Sequence, residues 1–537
     1  MAIAQASRKH KRKKRKKKHR SPVATPPAST PVAPPPPTSD PTRYPHVIGW
    51  NDSAGDGLVR PIVEWVDSPP TDTPPPRPLP KPQDPAAPKS PQPFGTYSGP
   101  FGRVQAKRLL DRAGFGPKPG QALELSKKGL SAAVYSLTRP SGSANLVGPD
   151  PVDDDGLPIA PVDSWGHDHL WWLDRMIRSD QQLVERMALV LHDWFATSNE
   201  KVGKAQLMID QSNLFRSGCF GSFRTLLENV TQDPAMLLWL DGVDNNKWNP
   251  NENYSREVQE LFTLGADRGA YTEEDVRELA RCFTGFRYTW DDTLGPINFR
   301  YDATRHDNTN KTVYGHTGNW TWQDGCRLCV ENSLHASCFV KKLWSYFIPQ
   351  PPSSSTQSAL ESIYTSNSYA IRPVLEAILM HPDFYEGPAM VKPPVVYLAS
   401  LMRATGTFIH DTQWVWLSEM AGQKLFYPPN VAGWDDNRWL DTNTLRGRWL
   451  LANGVREDHV VPVDDDYDGT EAPEPAVDNA LAVFDYPPLR QEQQNEFVRF
   501  SNNAFPPPAT WNQNEYRALR QNALRQLIAV GPDLQLS

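Results

Sequence analysis

The strongest constraint on the fold of this chain is an abrupt change in sequence character near residue 100. Residues 21–100 contain 24 of the 53 prolines, and a segment so rich in proline cannot bury enough apolar surface to offset the entropy lost on ordering. From Phe101 to about Val455, apolar residues recur at helical spacing between short polar loops. We therefore expect an all-α fold, one large irregular multi-helix domain over residues 101–537, behind a disordered basic and Pro-rich arm.

Strand signals are weak in this domain. The best are NFRYDA (298–303) and KTVYGH (311–316), which predict at most a small β-hairpin. In the arm, residues 46–66 are consistent with a strand pair or a docking segment. The acidic, proline-containing segment 456–486 predicts a surface excursion, and EYRALRQNALRQLIAV predicts a closing helix over 514–529.

Charge is distributed unevenly along the chain. Residues 1–20 hold 11 lysines and arginines and no acid, so subtracting this +11 from the net charge of −6 leaves −17 on residues 21–537. Such a head binds polyanions in a salt-dependent way, and nucleic acid, anionic lipid and wall polymer all remain open. Its lack of aromatic residues favours a tether over a base-reading module. The predicted polyanion-binding residues are Lys11, Arg12, Lys13, Lys14, Arg15, Lys16, Lys17 and Lys18.

Several functional classes find no support in the sequence. No run of about 18 apolar residues occurs, so no transmembrane segment is expected. The basic head is followed by SPVATPPAST rather than an apolar stretch, so no signal peptide is recognisable, and localisation stays open. Five cysteines in a chain of this length do not make a disulfide framework. Walker A, GxSxG, dinucleotide-binding and HExxH patterns do not occur at usable positions.

The segment NPNENYSREVQELFTLGADRGAYTEEDVRELARCFTGF (249–286) predicts two capped amphipathic helices joined by a short turn. Asn253 and Glu257 lie at the polar edge of the first apolar stripe, and Asp275 lies at the edge of the second. Packing of the two helices would bring these three side chains into one semi-buried cluster. Glu257 then has three interpretations: a surface charge, a structural carboxylate, or an acid–base or metal-binding group whose pKa burial raises.

Two further segments offer histidines and carboxylates. His192 lies on a nearly all-apolar helix with Glu185 two turns earlier, and is interpreted as a satisfied core histidine or a site residue. His306, Asp307 and Lys311 fall in a loop, where they bind a substrate or stabilise the loop itself. A cleft built from these groups would contain the candidate catalytic residues His192, Asn253, Glu257, Asp275, His306 and Asp307. Its Asp and His side chains would alternatively hold a divalent metal.

The order Cys326, Cys329, His335, Cys338 has the count and spacing of a zinc site. Its alternative is a set of buried thiols or an incidental disulfide, because Cys338 falls on the apolar face of a helix.

Aromatic residues mark two more segments. His167, Asp168 and Trp171 open a helix, where a tryptophan is usually a core residue but also stacks on ligands; tryptophan beside carboxylates is a common grip for sugar rings. FYPPNVAGWDD (426–436) predicts a rigid loop that packs Trp434 over the core.

Several segments in a fixed order resemble one known family. They include LVERMALVLHDWFAT (183–197), residues 251–286, FVKKLWSYFI (339–348) and GQKLFYPPNVAGWDDNRWL (422–440). Together they resemble the bacterial domain of unknown function 1800 family, over about 101–537. This resemblance implies a single all-α protein without an established reaction. It also implies a partner from a phosphatase- or sulfatase-like family often encoded beside it. Many members carry export signals where this chain has its basic arm.

Two functional hypotheses follow. The first is a hydrolase- or transferase-like enzyme that acts on a cell-envelope or polysaccharide substrate through a His/carboxylate cluster. The second is a non-catalytic scaffold or binding protein that its basic arm tethers to a polyanion. Whether the chain is an enzyme, and which cofactor it uses, is left open by the sequence.

Overall fold

The computed structural model describes residues 44–51, 60–66, 91–462, 472–487, 489–503 and 514–537. The basic head and most of the Pro-rich segment lie outside these residues, so polyanion binding by Lys11 to Lys18 stays a prediction. The described body is an irregular assembly of helices, which confirms the all-α class.

The helices follow one another with short connections. In chain order, α1 to α12 are Arg103–Arg112, Gln121–Ser126, Leu130–Thr138, His167–Arg178, Gln182–Trp194, Asn199–Val202, Ala205–Gly218, Phe223–Thr231, Pro234–Trp239, Asn253–Glu257, Glu273–Cys282 and Trp322–Glu331. Helices α13 to α23 are His335–Ser345, Ser354–Ser366, Ile371–Leu379, Pro382–Glu386, Pro394–Thr405, Gln413–Met420, Thr442–Glu457, Pro473–Ala482, Gln491–Asn503, Asn514–Val530 and Pro532–Gln535. Helix α10 continues directly into a π-helix, Val258–Thr263. Single 3₁₀ turns span Gly242–Asp244, Ala303–Arg305 and Asp436–Arg438.

Three two-stranded antiparallel sheets occur among the described residues. They pair β1 (Tyr44–Asn51) with β2 (Arg60–Val66), β3 (Phe286–Asp291) with β4 (Gly295–Tyr301), and β5 (Lys311–Val313) with β6 (His316–Gly318). The two strand segments expected in the body both form strands, but each pairs with its own neighbour, so there are two hairpins instead of one. In the second, Tyr314 and Gly315 both have positive φ, as a tight two-residue hairpin turn requires.

The helical periodicity seen from Phe101 to about Val455 corresponds to helices α1 to α19, because apolar periodicity and caps are local signals. The surface excursion expected over 456–486 is corrected for its second half. Helix α20 (Pro473–Ala482) lies there, and it buries Val477 and Leu481 against α22. The acidic residues and prolines around α20 obscured its helical apolar pattern in the sequence. The closing helix expected over 514–529 corresponds to α22.

The body begins before residue 101. The Tyr97 amide donates to the carbonyl of Met380 at 2.8 Å, and its ring packs on Tyr385 at 4.8 Å between centroids. Residues 91–100 therefore belong to the packed body. Among the described residues, none of the helices combines the length and the apolar character that crossing a bilayer demands.

Helix α5 is the element that positions the candidate site. Its apolar residues Met187 and Leu191 are buried, and it packs against α3, α4 and α7. The helix ends at Trp194, whose indole N–H donates to the carbonyl of Phe262 in the π-helix at 3.0 Å. The last turn of α5 is thereby fixed against the π-helix.

Candidate functional site

The last turn of α5 meets a loop that comes from more than 230 residues further along the chain. We call residues 424–436 the Trp434 loop. The amide of Trp434 donates to Oδ1 of Asp193 at 2.9 Å. The hydroxyl of Tyr346, which follows α13 directly, donates to Oδ2 of the same carboxylate at 2.7 Å. Asp193 is thus held by one donor on each oxygen.

The Trp434 loop requires a glycine at position 433, directly before Trp434. The φ of 92° at Gly433 lies in the left-handed region, and a β-carbon there would lie 2.3 Å from Oδ1 of Asp193. Only glycine allows the backbone to pass this close to the carboxylate. Asn430 shapes the preceding turn by accepting the amide of Ala432 at 2.8 Å. Trp434 packs against the core, as expected of a rigid loop.

Two basic side chains lie near Asp193. Lys342 of α13 donates from Nζ to the carbonyl of Leu261 in the π-helix at 3.0 Å, and its ammonium lies 4.9 Å above the ring of Trp194. Burial lowers the pKa of Lys342 to about 8, although the negative charge of Asp193 opposes this shift.

Arg186 is the second basic group. It is buried, and burial lowers its pKa to about 10 against the opposing charge of Asp193. Its Nε and Nη1 have no hydrogen-bond partner among the described residues. A buried guanidinium without acceptors is costly, so this side of the cluster suits a water molecule or an anionic ligand group.

Burial raises the pKa of Asp193, even though Trp434 and Tyr346 both stabilise its charged form. The acid and the base of this cluster therefore have pKa values shifted towards each other, an arrangement typical of acid–base chemistry. We call Arg186, Asp193, Lys342, Tyr346 and Trp434 the Asp193 cluster. Asp193 was not among the residues predicted from the sequence; the available signal was a carboxylate beside His192 in the apolar stretch LVLHDWF.

His192 lies beside the same loop but in an apolar setting. Its ring is fully buried among Trp172, Phe426 and Trp434, at centroid distances of 5.2, 5.7 and 5.6 Å. Neither ring nitrogen has a hydrogen-bond partner among the described residues. Burial lowers the pKa of His192 to about 3, so the imidazole is neutral at physiological pH.

His192 and Glu185, two turns apart on α5, have separate surroundings and make no hydrogen bond to each other. Glu185 accepts hydrogen bonds from Nε of Arg175 at 3.0 Å and from Nε of Arg216 at 2.9 Å. These arginines come from α4 and α7, which flank α5, and they supply the positive charge that a buried carboxylate requires.

Glu257 is the last residue of α10, directly before the π-helix. It is half-buried and makes no hydrogen bond or ion pair within the described part of the chain. Burial and the nearby Glu260 raise its pKa, with Arg256 opposing them. Arg256 itself pairs with Glu273 at 2.8 Å rather than with Glu257. Of the three interpretations, that of a structural carboxylate finds no hydrogen-bond or ion-pair partner among the described residues.

The semi-buried cluster expected from Asn253, Glu257 and Asp275 is not formed. Asn253 donates from Nδ2 to Asp241 at 3.1 Å. Asp275 completes the capping box of α11 with Thr272 and accepts the amide of Tyr314 at 2.7 Å. Asp275 therefore fixes the β5–β6 hairpin to α11, because its carboxylate satisfies donors on both elements.

His306 and Asp307 lie at the other end of α11. Nδ1 of His306 lies 3.0 Å from the carbonyl of Thr284. Asp307 accepts from Nε of Arg281 at 2.7 Å, and although burial opposes it, this hydrogen bond and those from Thr309 lower the Asp307 pKa to about 2. His306 and Asp307 therefore stabilise their own loop. The expected cleft that would join them to His192 and Glu257 is not formed.

The residues proposed as zinc ligands contact different partners instead of one another. His335 lies 3.0 Å from the carbonyl of Thr263 and 2.9 Å from the hydroxyl of Tyr364, so both ring nitrogens are in use. The Cys329 thiol contacts the Tyr314 hydroxyl at 3.4 Å, and burial raises its pKa to about 12, which disfavours the thiolate that zinc needs. Cys326 contacts Thr231 instead.

These contacts favour the alternative of separate, unpaired thiols over a zinc site at Cys326, Cys329, His335 and Cys338. Across the described ranges, no group of three or more His, Cys, Asp or Glu side chains is arranged to hold a metal ion.

The residues at the start of α4 make contacts within the fold. Nδ1 of His167 accepts the amide of Ala160 at 2.8 Å. Trp171 stacks on Phe426 at 6.5 Å between centroids and packs against the core, so the core interpretation holds. Asp168 accepts from the hydroxyl of Tyr427 in the Trp434 loop at 3.3 Å.

The Asp193 cluster draws its members from three of the segments that suggested a family resemblance, 183–197, 339–348 and 422–440. The family model described as "Protein of unknown function (DUF1800)" matches residues 108–536, which is most of the chain. No curated protein and no solved structure matches the chain. The family match and the convergence of these segments agree with the resemblance seen in the sequence. The chain belongs to the DUF1800 family of proteins of unknown function.

Proposed function

We propose that the protein is a hydrolase- or transferase-type enzyme of the cell envelope or of polysaccharides, with its acid–base site at the Asp193 cluster. One observation carries this proposal. The Asp193 carboxylate is fixed by Trp434 and Tyr346 beside a lysine whose pKa is lowered to about 8. Positioned carboxylate and amine groups of this kind contribute about 10²–10⁴-fold to proton-transfer rates.

The roles follow from the charges. Lys342 is deprotonated in an appreciable fraction near neutral pH and accepts a proton from an attacking water or hydroxyl group. Asp193 orients the Tyr346 hydroxyl, and burial and the Asp193 charge raise the pKa of Tyr346, so that Tyr346 stays a protonated donor. Arg186 provides positive charge for negative charge that develops on the substrate.

Two of the six candidates from the sequence remain additional members in this proposal. His192 touches the ring of Trp434, and Glu257 directly precedes the π-helix that accepts the Lys342 hydrogen bond. Both lack a hydrogen-bond partner among the described residues. Asn253, Asp275, His306 and Asp307 are better explained by the contacts that fix α11 and its neighbours.

A non-catalytic scaffold or binding protein, tethered to a polyanion through its basic arm, is the second proposal. The observation in its favour is that many semi-buried charged groups already serve packing, as Asp275 and Asp307 do. A partner from the phosphatase- or sulfatase-like family belongs to this alternative.

The experiment is a substrate screen on the full chain with chromogenic carboxylic esters, phosphate and sulfate esters and glycosides. The variants are Asp193→Asn and Lys342→Met, with Asp307→Asn as the matched control carboxylate. We expect each of the first two to lower the rate at least about 100-fold and the control to retain it. Activity that survives Asp193→Asn overturns the site, and a wild type inactive on every class favours the scaffold.

A further inference from the structure

Two exposed tryptophans lie on one side of the body, near the other end of the Trp434 loop. Trp165 is 66% exposed and Trp416 is 46% exposed. We call Trp165, Trp416, Glu419, Lys424 and Tyr427 the Trp165 surface. Large exposed aromatic side chains grouped with polar ones are a common mark of a binding surface.

The contacts that assemble this surface are specific. Gly166, next to Trp165, has a φ of 77°, and a β-carbon there would lie 2.9 Å from Cγ2 of Val415. The start of α4 therefore lies directly against α18, next to Trp416. Trp416 and Glu419 are three residues apart on α18 and both exposed, so they share one helix face.

Lys424 joins the two elements. Its Nζ lies 3.6 Å from the Glu419 carboxylate and 4.9 Å from the centre of the Trp165 ring. It also lies 4.3 Å from the centre of the Tyr427 ring. Lys424 covers part of one ring face of Trp165, yet about two thirds of the Trp165 side chain is exposed to solvent.

A buried polar group holds the floor of the surface. The Tyr427 hydroxyl donates to Oδ2 of Asp168 at 3.3 Å, and the Asn199 side-chain amide donates to the same oxygen at 3.3 Å. Asp168 is buried, and its pKa is raised by burial. Tyr427 is consequently fixed in place, as a preorganised binding residue must be.

We propose that the Trp165 surface binds a carbohydrate chain. The indole of Trp165 forms a flat apolar platform for the C–H face of one pyranose ring, and Trp416 offers a second platform further along. Lys424 and Glu419 supply a donor and an acceptor for sugar hydroxyl groups. The exposed carboxylate of Glu419, in a chain whose residues 21–537 carry −17, disfavours nucleic acid.

This inference deepens the proposed function by naming the substrate class, and in that respect it rests on it. One loop carries Lys424 and Tyr427 at its start and Gly433 and Trp434 near its end, so the Trp165 surface and the Asp193 cluster share one structural element. Binding is measured without turnover, so the binding surface and the catalytic site fail or succeed separately.

The experiment is isothermal titration of the full chain with cellohexaose, chitohexaose and maltohexaose. The variant is Trp165→Ala, and the matched control is Trp248→Ala. Trp248 is 69% exposed and has a lysine, Lys247, 4.8 Å from its ring centre, so exposure and cation contact are equal at the two sites. Asp193→Asn is titrated in parallel as the catalytic-site variant.

We expect at least one hexasaccharide to bind, and Trp165→Ala to weaken it about tenfold or more, equal to about 1.4 kcal/mol. Trp248→Ala and Asp193→Asn should bind as the wild type does. Binding that Trp165→Ala leaves unchanged overturns the surface, as does the absence of binding by all three sugars. Loss of catalysis in Asp193→Asn with binding retained would support both sites.

Discussion

The amide of Trp434 donates a hydrogen bond to the carboxylate of Asp193 at 2.9 Å, across 241 residues of sequence. This contact joins the end of α5 to the Trp434 loop and makes the preceding glycine indispensable. It is the central relationship of the candidate site, because Tyr346, Lys342 and Arg186 all surround the same carboxylate.

Gly433→Ala should destabilise the protein strongly. The substitution combines left-handed backbone strain of about 1–3 kcal/mol with a β-carbon placed 2.3 Å from Asp193 Oδ1. Gly406→Ala is the control, since Gly406 has a φ of 78° and no atom within 4 Å of its would-be β-carbon. Chemical denaturation should show a larger loss for Gly433→Ala; equal losses would mean that the carboxylate contact is unimportant.

Glu185→Gln should cost about 3–5 kcal/mol, because it leaves two arginines beside an uncharged, buried side chain. Both carboxylate oxygens of Glu185 accept from Arg216, and one also accepts from Arg175. The exposed pair of Glu124 with Lys127 gives the contrast, and Glu124→Gln should change stability by less than about 1 kcal/mol. Urea unfolding of both variants measures this; a small effect of Glu185→Gln would contradict the shared ion pair.

Glu257→Gln should leave the melting temperature unchanged or slightly raised. No described hydrogen bond is lost, while the charge that burial and Glu260 disfavour is removed. Thermal unfolding followed by circular dichroism checks this. A clear drop in melting temperature would show that the Glu257 carboxylate has a structural partner after all.

His410 should stabilise the protein more at acidic pH than at alkaline pH. Burial disfavours its charged form, but the hydrogen bond to Asp458 at 2.9 Å and the charge of Asp411 outweigh this and raise the His410 pKa above 6.5. The stabilisation is therefore complete below the unfolded value and is lost as the pH rises through the raised value.

The measurement compares unfolding free energies of the wild type and His410→Gln at about pH 5 and about pH 9. At acidic pH, the unfolding free energies of the wild type and His410→Gln should differ by less than about 1 kcal/mol. This difference should shrink in high salt, since His410 is partly exposed. A difference that grows with pH would reverse the assigned sign.

Local features of the fold were predictable from the sequence, and long-range ones were not. The capping box of Thr272 and Asp275 lies within one turn of helix, so the start of α11 was readable. The π-helix after Glu257 was not, because an i→i+5 bond such as that from Leu264 to Gln259 leaves no periodicity signal.

The contacts of the candidate site were likewise not predictable from local sequence patterns. Asp193 and Tyr346 are 153 residues apart, and no local pattern indicates that they meet. His192 in the stretch LVLHDWF was a candidate residue, whereas the adjacent Asp193 was not. The close approach of Gly433 to Asp193 is likewise visible only in the structure, because the two residues are 240 positions apart.

The most direct test of the Asp193 cluster is the pH dependence of Lys342 acetylation under trace labelling, followed by mass spectrometry in the wild type and in Asp193→Asn. Lys342 should titrate near a pKa of about 8, below the ordinary value of 10.5 that the denatured chain reports. Removal of the Asp193 charge should lower that pKa further, because the carboxylate favours the ammonium. A Lys342 that titrates near 10.5, or one that Asp193→Asn leaves unchanged, would contradict the acid–base pair.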